Sequence, residues 1–561
     1  MSAGRRHQDS PIAAEATSDL SVDSPFTTIN PSMSSAVPAS SNTKARSIND
    51  ISIQSVKIDE CFALFFKHYH PILPIFNPSP RPDSYYRLSP FIFWCIVITG
   101  SRRYDTDPTV LERLIPGVNR LALEALLHVK GYFPTICGLL VLCVWPLPMQ
   151  TAAEDPSPMY CGATMQLALQ HRLHLFTQKQ TSIQPTSIMS IVQDANIARV
   201  WSYLEFVCHC TSWTIGSPPH LLSDAFDLAS YDGSLARTVP SSIYWMQRFE
   251  KLSTRLTITL TELVCATNDG VKCQSDLVLN GLIQVFDEQI LEMSRKALKE
   301  MQPERTSSGD RAASAGSRAQ MYPNPLIVGM SRIHLNAYHF FGTDICLHLS
   351  YLIELHQLAC QWTQQACKMD NDNDWALYSS ESYFRHMVLV AVVILRISHS
   401  QELKVKVDVA KGELAYFTIV KLLKRRSLQI GDVNAQTAAS LSALWNDDYC
   451  FRLPDGTQNS LNVRTRGQGV MDIVYDCIPP AGRKVNQFRQ YQVQEHEHQD
   501  LRDEIPSAMQ SVPSSVVDHI IPEVPVPYIA EDYFPPLEGD ISAFNFLQSS
   551  FSWPQDNSFW A

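Results

Sequence analysis

Apolar residues at Ile58, Phe62, Phe65, Phe66 and Tyr69 fall at three- and four-residue spacings, the period of one helix face. Pro71 has no backbone donor and biases His70 away from helical dihedrals. The pattern therefore predicts a helix that stops there, with Pro74 and Pro78 holding the following segment extended. The chain restarts at SPFIFWCIVITGSRRY, where Ser89 can cap and Pro90 can occupy the first turn of an almost wholly apolar helix. A helix with no polar face is buried on nearly every side. The same spacing continues through Leu111, Leu114, Ile115, Val118, Leu121, Leu126 and Val129, and again through Met165, Ala168, Leu169 and Leu173 up to His174. It resumes from Leu326 through Trp362, from Tyr383 to about Ile397 and from Glu413 to Arg426. No stretch sustains apolar-polar alternation bounded by hairpin turns, so the predicted fold class is all-α, a multi-helix body.

Polar, small-residue stretches divide that body. Residues 1–50 are rich in Ser, Thr, Pro and Ala and too poor in large apolar side chains to offset the entropy of ordering, so they are expected to be a disordered arm. Helical text fills 51–300, a small-residue polar linker 301–324 follows, and a second helical part occupies 325–450. A polar linker is expected over 451–519 and an acidic, aromatic tail over 520–561. Lys421, Lys424, Arg425 and Arg426 close a predicted helix, where cations complement the helix dipole while facing water; a basic import signal is the other reading.

Composition narrows the function classes. The net charge of -11 lacks the basic patch with which an autonomous nucleic-acid-binding module meets phosphate. Fourteen scattered cysteines suit small buried hydrophobes in a reducing compartment better than a disulfide scaffold. The N-terminus has no apolar signal-peptide core, and the run from Ile136 to Met149 is shorter than the roughly 18 to 20 residues of a membrane span. No membrane partner is expected.

Catalytic motifs are thin. There is no Walker-type loop, and Gly467 and Gly469 lack a third glycine and a preceding strand. A G-x-S-x-G elbow and an H-E-x-x-H zinc helix are absent as well. His171 and His174 could share a helix face, but no carboxylate or third ligand is near in sequence. His68 and His70 stand in the same position, and His496 and His498 lie in a polar stretch that water satisfies. Cys208 and Cys210, two apart on a helix, diverge too far to share one ion. No catalytic residue, metal ligand or cofactor is assigned; the competing class is a helical enzyme whose site is assembled from residues distant in sequence.

Four ordered blocks carry a family resemblance. Phe65, Phe66, Tyr69, His70, Pro71, Pro74 and Ile75, followed by Ser89, Pro90, Ile96, Gly100, Arg103 and Tyr104, resemble the opening of the middle-homology regulatory domain of fungal zinc-cluster transcription factors. Cys143, Trp145, Pro146, Asp155, Ser157, Gly162, Ala163, Ala168, His174 and Leu175 are similar to the branch typified by the regulator of leucine biosynthesis. Arg199, Val200, Trp201, Ser212, Gly216 and Pro218 fit a fourth block, which departs from the family at Cys208-His209, where Asp-Arg is usual. The resemblance covers roughly residues 56 to 230. It implies a nuclear transcription regulator of a pathway-specific gene set, biosynthetic, secondary-metabolic or concerned with amino acids, that responds to a metabolite. Implied partners are a coactivator or other transcription factors, with homo- or heterodimers in the family's range.

Family members read DNA through six closely spaced cysteines holding two zinc ions, yet this chain has no C-x-x-C and its first cysteine is Cys61. The chain is therefore expected to be either a piece of a longer protein or a regulator without its own DNA-reading module. Zinc belongs only to such a missing cluster, no DNA-binding residue is assigned, and DNA is reached indirectly. The leucine-type branch responds to an intermediate bearing carboxylates, which makes Arg102, Arg103 and Arg199 the candidate ligand-binding residues, because guanidinium forks onto carboxylate.

After Arg502 there is no Lys or Arg. Glu523, Glu531, Asp532, Glu538, Asp540 and Asp556 are interleaved with Tyr528, Tyr533, Phe534, Phe544, Phe546, Phe551, Trp553, Phe559 and Trp560. This is the composition of an activation segment whose rings remain available to a partner. The alternative is a tail that packs those rings on the helical body.

Overall fold

The computed structural model describes residues 43–127, 131–151, 154–175, 188–217, 241–266, 274–301, 325–447, 450–452, 456–464 and 469–477. Within these residues the fold is all-α apart from one hairpin and an isolated antiparallel bridge between Arg452 and Gln458, as the periodicity predicts. The hairpin pairs β1 (Arg46–Ile48) antiparallel with β2 (Ile51–Ile53) around Asn49, which takes a positive φ of 51°. It begins inside the segment expected to be a disordered arm. Ile48 and Ile53 are buried, and the burial of these side chains on the helical body offsets the cost of ordering the turn.

Helix α1 (Ser55–Leu64) runs into a π turn over Phe65–Tyr69, closed by a bond of 2.9 Å from the His70 N–H to the Phe65 carbonyl. His70 stays helical (φ -54°, ψ -38°), against the preference of a residue before proline, because that wider turn holds it. Its Nε2 lies 2.7 Å from the Phe76 carbonyl. After α2 (Pro82–Leu88), Ser89 caps α3 (Pro90–Ser101) by accepting from the Ile92 N–H at 3.4 Å, with Pro90 in the first turn. Every residue of α3 after Pro90 is buried, enclosed by α1, α2, α4 (Thr109–Leu127) and α5 (Tyr132–Val144). Gly100 is required at the crossing with α1, since a Cβ there would overlap the Cys61 carbonyl.

Helix α5 joins this half to the other. It packs on α3, then on α6 (Ser157–Gln170), α7 (Ile188–Ile215) and α13 (Glu381–Ser398). From α7 the chain passes through α8 (Ser241–Ala266), α9 (Gln274–Met301) and α10 (Pro325–Asn336), each packed on the one before. The helix expected from Leu326 through Trp362 is interrupted by 3-10 turns at Ala337–Phe341 and Ile345–Leu347 before α11 (Leu349–Asn373) begins. At the break Gly342 lies so close to His348 that a side chain there would strike the imidazole. A short α12 (Trp375–Tyr378) leads to α13, the second buried helix, covered by α7, α11 and α14 (Val409–Arg426). Helix α15 (Val433–Leu444) follows α14, and α16 (Asp472–Tyr475) packs on α13, within a stretch expected to be polar linker. Ile473 and Val474 are fully buried there, an apolar payload too short to register as a period.

Candidate functional site: a cavity pair at the start of α13

The N-terminal turn of α13 is where the separate sequence blocks meet. Asp155, in the loop between α5 and α6, accepts from the Arg385 guanidinium and from the Ser157 N–H at 2.9 Å. Trp145 at the end of α5 donates its indole N–H to the Tyr378 carbonyl at 2.8 Å and stands edge-on to Tyr69 at 5.3 Å. The first and third blocks are thus held against each other and against the start of α13.

Two cavities open here, and both are walled by Glu381 and Arg385. The first, open at its mouth, is mostly apolar and is bordered by Leu73, Cys143, Tyr203, Phe206 and Met246. The second is lined by Pro146, Leu147, Pro148 and Met149 and is bordered by Arg102, Asp155, Phe384 and Asp432.

The charges of the second cavity are unequally paired. Asp155 is held by Arg385, and Glu381 accepts from Arg426 at 3.1 Å. Asp432 accepts backbone N–H groups of Leu428, Gln429 and Ala435. Arg102, at the end of α3, is buried and donates one N–H to the Pro146 carbonyl at 2.6 Å, while its Nε has no partner. Burial, and then the positive charge of Arg426, pulls its guanidinium down to about 10. A buried cation without a carboxylate is costly, and a ligand anion would relieve that cost.

The three candidate arginines separate. Arg102 borders the cavity. Arg103 turns to the end of α14, donating to the Arg425 carbonyl at 3.0 Å and the Arg426 carbonyl at 2.7 Å, where a cation meets the negative helix terminus. Arg199 reaches the Pro74 carbonyl at 3.4 Å and borders neither cavity. Arg426 does not face water as its position in a basic cluster suggests: it is 1% exposed, donates to the Ser379 carbonyl at 2.6 Å and lies over the Phe384 ring. Sequence reasoning missed Glu381, Arg385 and Arg426 as parts of one charge network, since nothing in their spacing marks them.

His171 and His174 do not share a helix face. Helix α6 ends at Gln170, Arg172 takes a positive φ of 59°, and the two rings stack apart, His171 on Tyr132 and His174 near Trp201. Among the described residues no group of three or more His, Cys, Asp or Glu is placed to hold a metal ion, and no helix is long and apolar enough to cross a membrane. His496, His498 and the tail aromatics from Tyr528 to Trp560 lie outside the described residues.

Comparison with known proteins gives the chain relatives among fungal transcription regulators. It is 28% identical over 184 residues to SEF1 of Saccharomyces cerevisiae, a match covering 32% of this chain and 15% of that protein. It is 26% identical over 185 residues to the transcriptional regulatory protein SEF1 of Candida albicans, over 31% of this chain and 19% of the relative. A longer match, 20% identical over 493 residues, takes in 79% of this chain and 52% of regulatory protein LEU3 of S. cerevisiae. The matches thus span from about a seventh to about half of these relatives' lengths. No family model matches the chain, and no solved structure matches it. The resemblance carried by the four sequence blocks therefore has homologues behind it, consistent with a middle-homology regulatory domain.

Proposed function

We propose that this chain is a metabolite-responsive transcription regulator of a pathway-specific gene set, acting in the nucleus, with the cavity pair at the start of α13 as its ligand site. The homologues are fungal transcription regulators, which supports the general class. The observation that carries the ligand assignment is Arg102: a buried guanidinium without a carboxylate partner, bordering a cavity whose acids are already engaged. A small carboxylic acid is the ligand it fits, its carboxylate on Arg102 beneath the 146–149 loop and its apolar portion toward the neighbouring apolar cavity. DNA is reached through a partner factor or through a module other than the residues assigned here, and coactivators are engaged by the 520–561 segment.

The test is thermal shift of the full chain across a panel of mono-, di- and tricarboxylic acids. At least one acid should raise the Tm in proportion to the logarithm of its concentration, as a ligand specific for the native state does. Arg102→Met should keep the helical circular dichroism and lose the shift. No stabilisation by any acid would remove the ligand assignment while leaving the transcription class standing.

A further inference from the structure

We propose that Cys143 and Cys161 are a modification site, a dithiol that a small hydroperoxide converts to a disulfide. Their Sγ atoms are 3.7 Å apart, in van der Waals contact, with Cys143 one residue before the end of α5 and Cys161 in the second turn of α6. A disulfide needs about 2.05 Å, a closure of under 2 Å shared by two side chains. Cys143 borders the apolar cavity that opens to solvent, which gives a molecule the size of hydrogen peroxide a way in. The neighbours suit the chemistry. The Cys161 Sγ lies 3.5 Å from the Thr211 hydroxyl, and the Cys208 thiol donates to the Cys161 carbonyl at 3.6 Å. The Cys161 thiol donates to the Cys143 sulfur and the Cys143 thiol to the Ser157 carbonyl at 3.7 Å, so the two sulfurs already face each other with Cys143 on the cavity side.

The reaction balances without any further reagent. The Cys143 sulfur, which borders the cavity, gives up its proton, attacks one oxygen of the hydroperoxide and breaks the O–O bond. The released alkoxide or hydroxide takes a proton and leaves as alcohol or water, and the sulfur becomes a sulfenic acid. The second thiol then displaces water from that sulfur, and the S–S bond forms. The two thiols are oxidised by two electrons and the peroxide is reduced by two.

Closure would fasten the two stems of the loop that roofs the Arg102 cavity. That loop carries Pro146, whose carbonyl accepts from Arg102, Met149, whose carbonyl accepts from the Val433 N–H at 3.1 Å, and Asp155, which holds Arg385. The proposal rests on the thiol geometry and stands whether or not a carboxylate binds.

The experiment treats the reduced, full chain with hydrogen peroxide, quenches in acid with an alkylating agent, and digests after glutamate, which cleaves at Glu154 between the two cysteines. A peptide pair linked through Cys143 and Cys161, lighter by about two mass units and separated by dithiothreitol, is expected. It should persist in Cys208→Ser and vanish in Cys143→Ser and Cys161→Ser. Oxidised wild type should melt a few degrees higher than reduced protein. Oxidation confined to other cysteines, such as exposed Cys346, at doses that leave Cys143 and Cys161 alkylatable would overturn the proposal. So would a link that survives Cys143→Ser. The wild-type map decides the matter even if a serine variant fails to fold.

Discussion

Arg396 and Asp476 are joined at 2.8 Å in a site where the arginine side chain has no exposure and the aspartate 3%. The guanidinium also donates to the Ile473 carbonyl at 3.1 Å, the Ser460 carbonyl at 2.9 Å and the Asn462 carbonyl at 3.0 Å, while Arg464 takes the other Asp476 oxygen at 2.9 Å. Removing one member of so buried a pair leaves the other charge uncompensated. Arg396→Ala should therefore cost on the order of 3 to 5 kcal/mol of stability, read as a lower urea midpoint, and Asp476→Asn should cost less because the amide oxygen still accepts. An Arg396→Ala midpoint within error of wild type would show that the segment 456–477 contributes no stability.

The buried histidines make the fold acid-sensitive. Burial pulls His334, His339 and His386 down to about 3 and His356 to about 4, each from an ordinary value of 6.5. The unfolded chain thus binds more protons than the native one between those limits. Stability is full above about pH 6.5 and falls as pH drops, with a slope of about 1.4 kcal/mol per pH unit for each such histidine. Circular dichroism along a pH titration should show cooperative unfolding between pH 6 and 4. His386→Leu should flatten the slope by about one proton, and a wild-type helical signal unchanged at pH 4 would contradict the burial of these rings.

Gly100 lies at the closest approach of α1 and α3. Gly100→Ala must separate two backbones, not merely turn a side chain, and should cost about 1 to 3 kcal/mol or more, seen as a drop in Tm. Gly162→Ala, with nothing within 4 Å of the added carbon, is the control and should be neutral or slightly stabilising. Equal melting temperatures for the two variants would show the α1–α3 crossing to be looser than the structure has it.

The tail makes its own prediction. Residues 515–561 fused to an unrelated DNA-binding domain should activate a reporter, and activation should fall when Phe544, Phe546, Phe551 and Trp553 become Ala. Each ring can bury roughly 150 to 250 Å² against a coactivator. A well-expressed, nuclear but inert fusion would refute the assignment.

Buried helices were legible in the sequence where their apolar periods are dense and their caps local. Helix α3 starts at the Pro90 that Ser89 and its own proline announce, and α13 extends the expected 383–397 by two residues at one end and one at the other. What escaped was decided by tertiary partners. The hairpin at 46–53 and the 473–474 anchor are too short to show a period, and the break at Gly342 depends on where His348 lies. Adjacent arginines diverge for the same reason. Both lie just past the last residue of α3, where no helical period sets their directions, and Arg102 goes to a cavity while Arg103 goes to the carbonyls of α14. Nor does spacing reveal that Cys143 and Cys161 touch, since their contact follows from how α5 folds back on α6.

Helix α13 has its first turn at the cavities and Arg396 near its far end, eleven residues beyond Arg385, or about 16 Å of helix rise. Because 386–398 is buried on all sides, the helix has little freedom to bend and behaves as a strut. A displacement of Glu381 or Arg385 along the helix axis therefore displaces Arg396 with it. Arg396 grips Asp476. The cavity pair and the Arg396–Asp476 ion pair are the two ends of one rod.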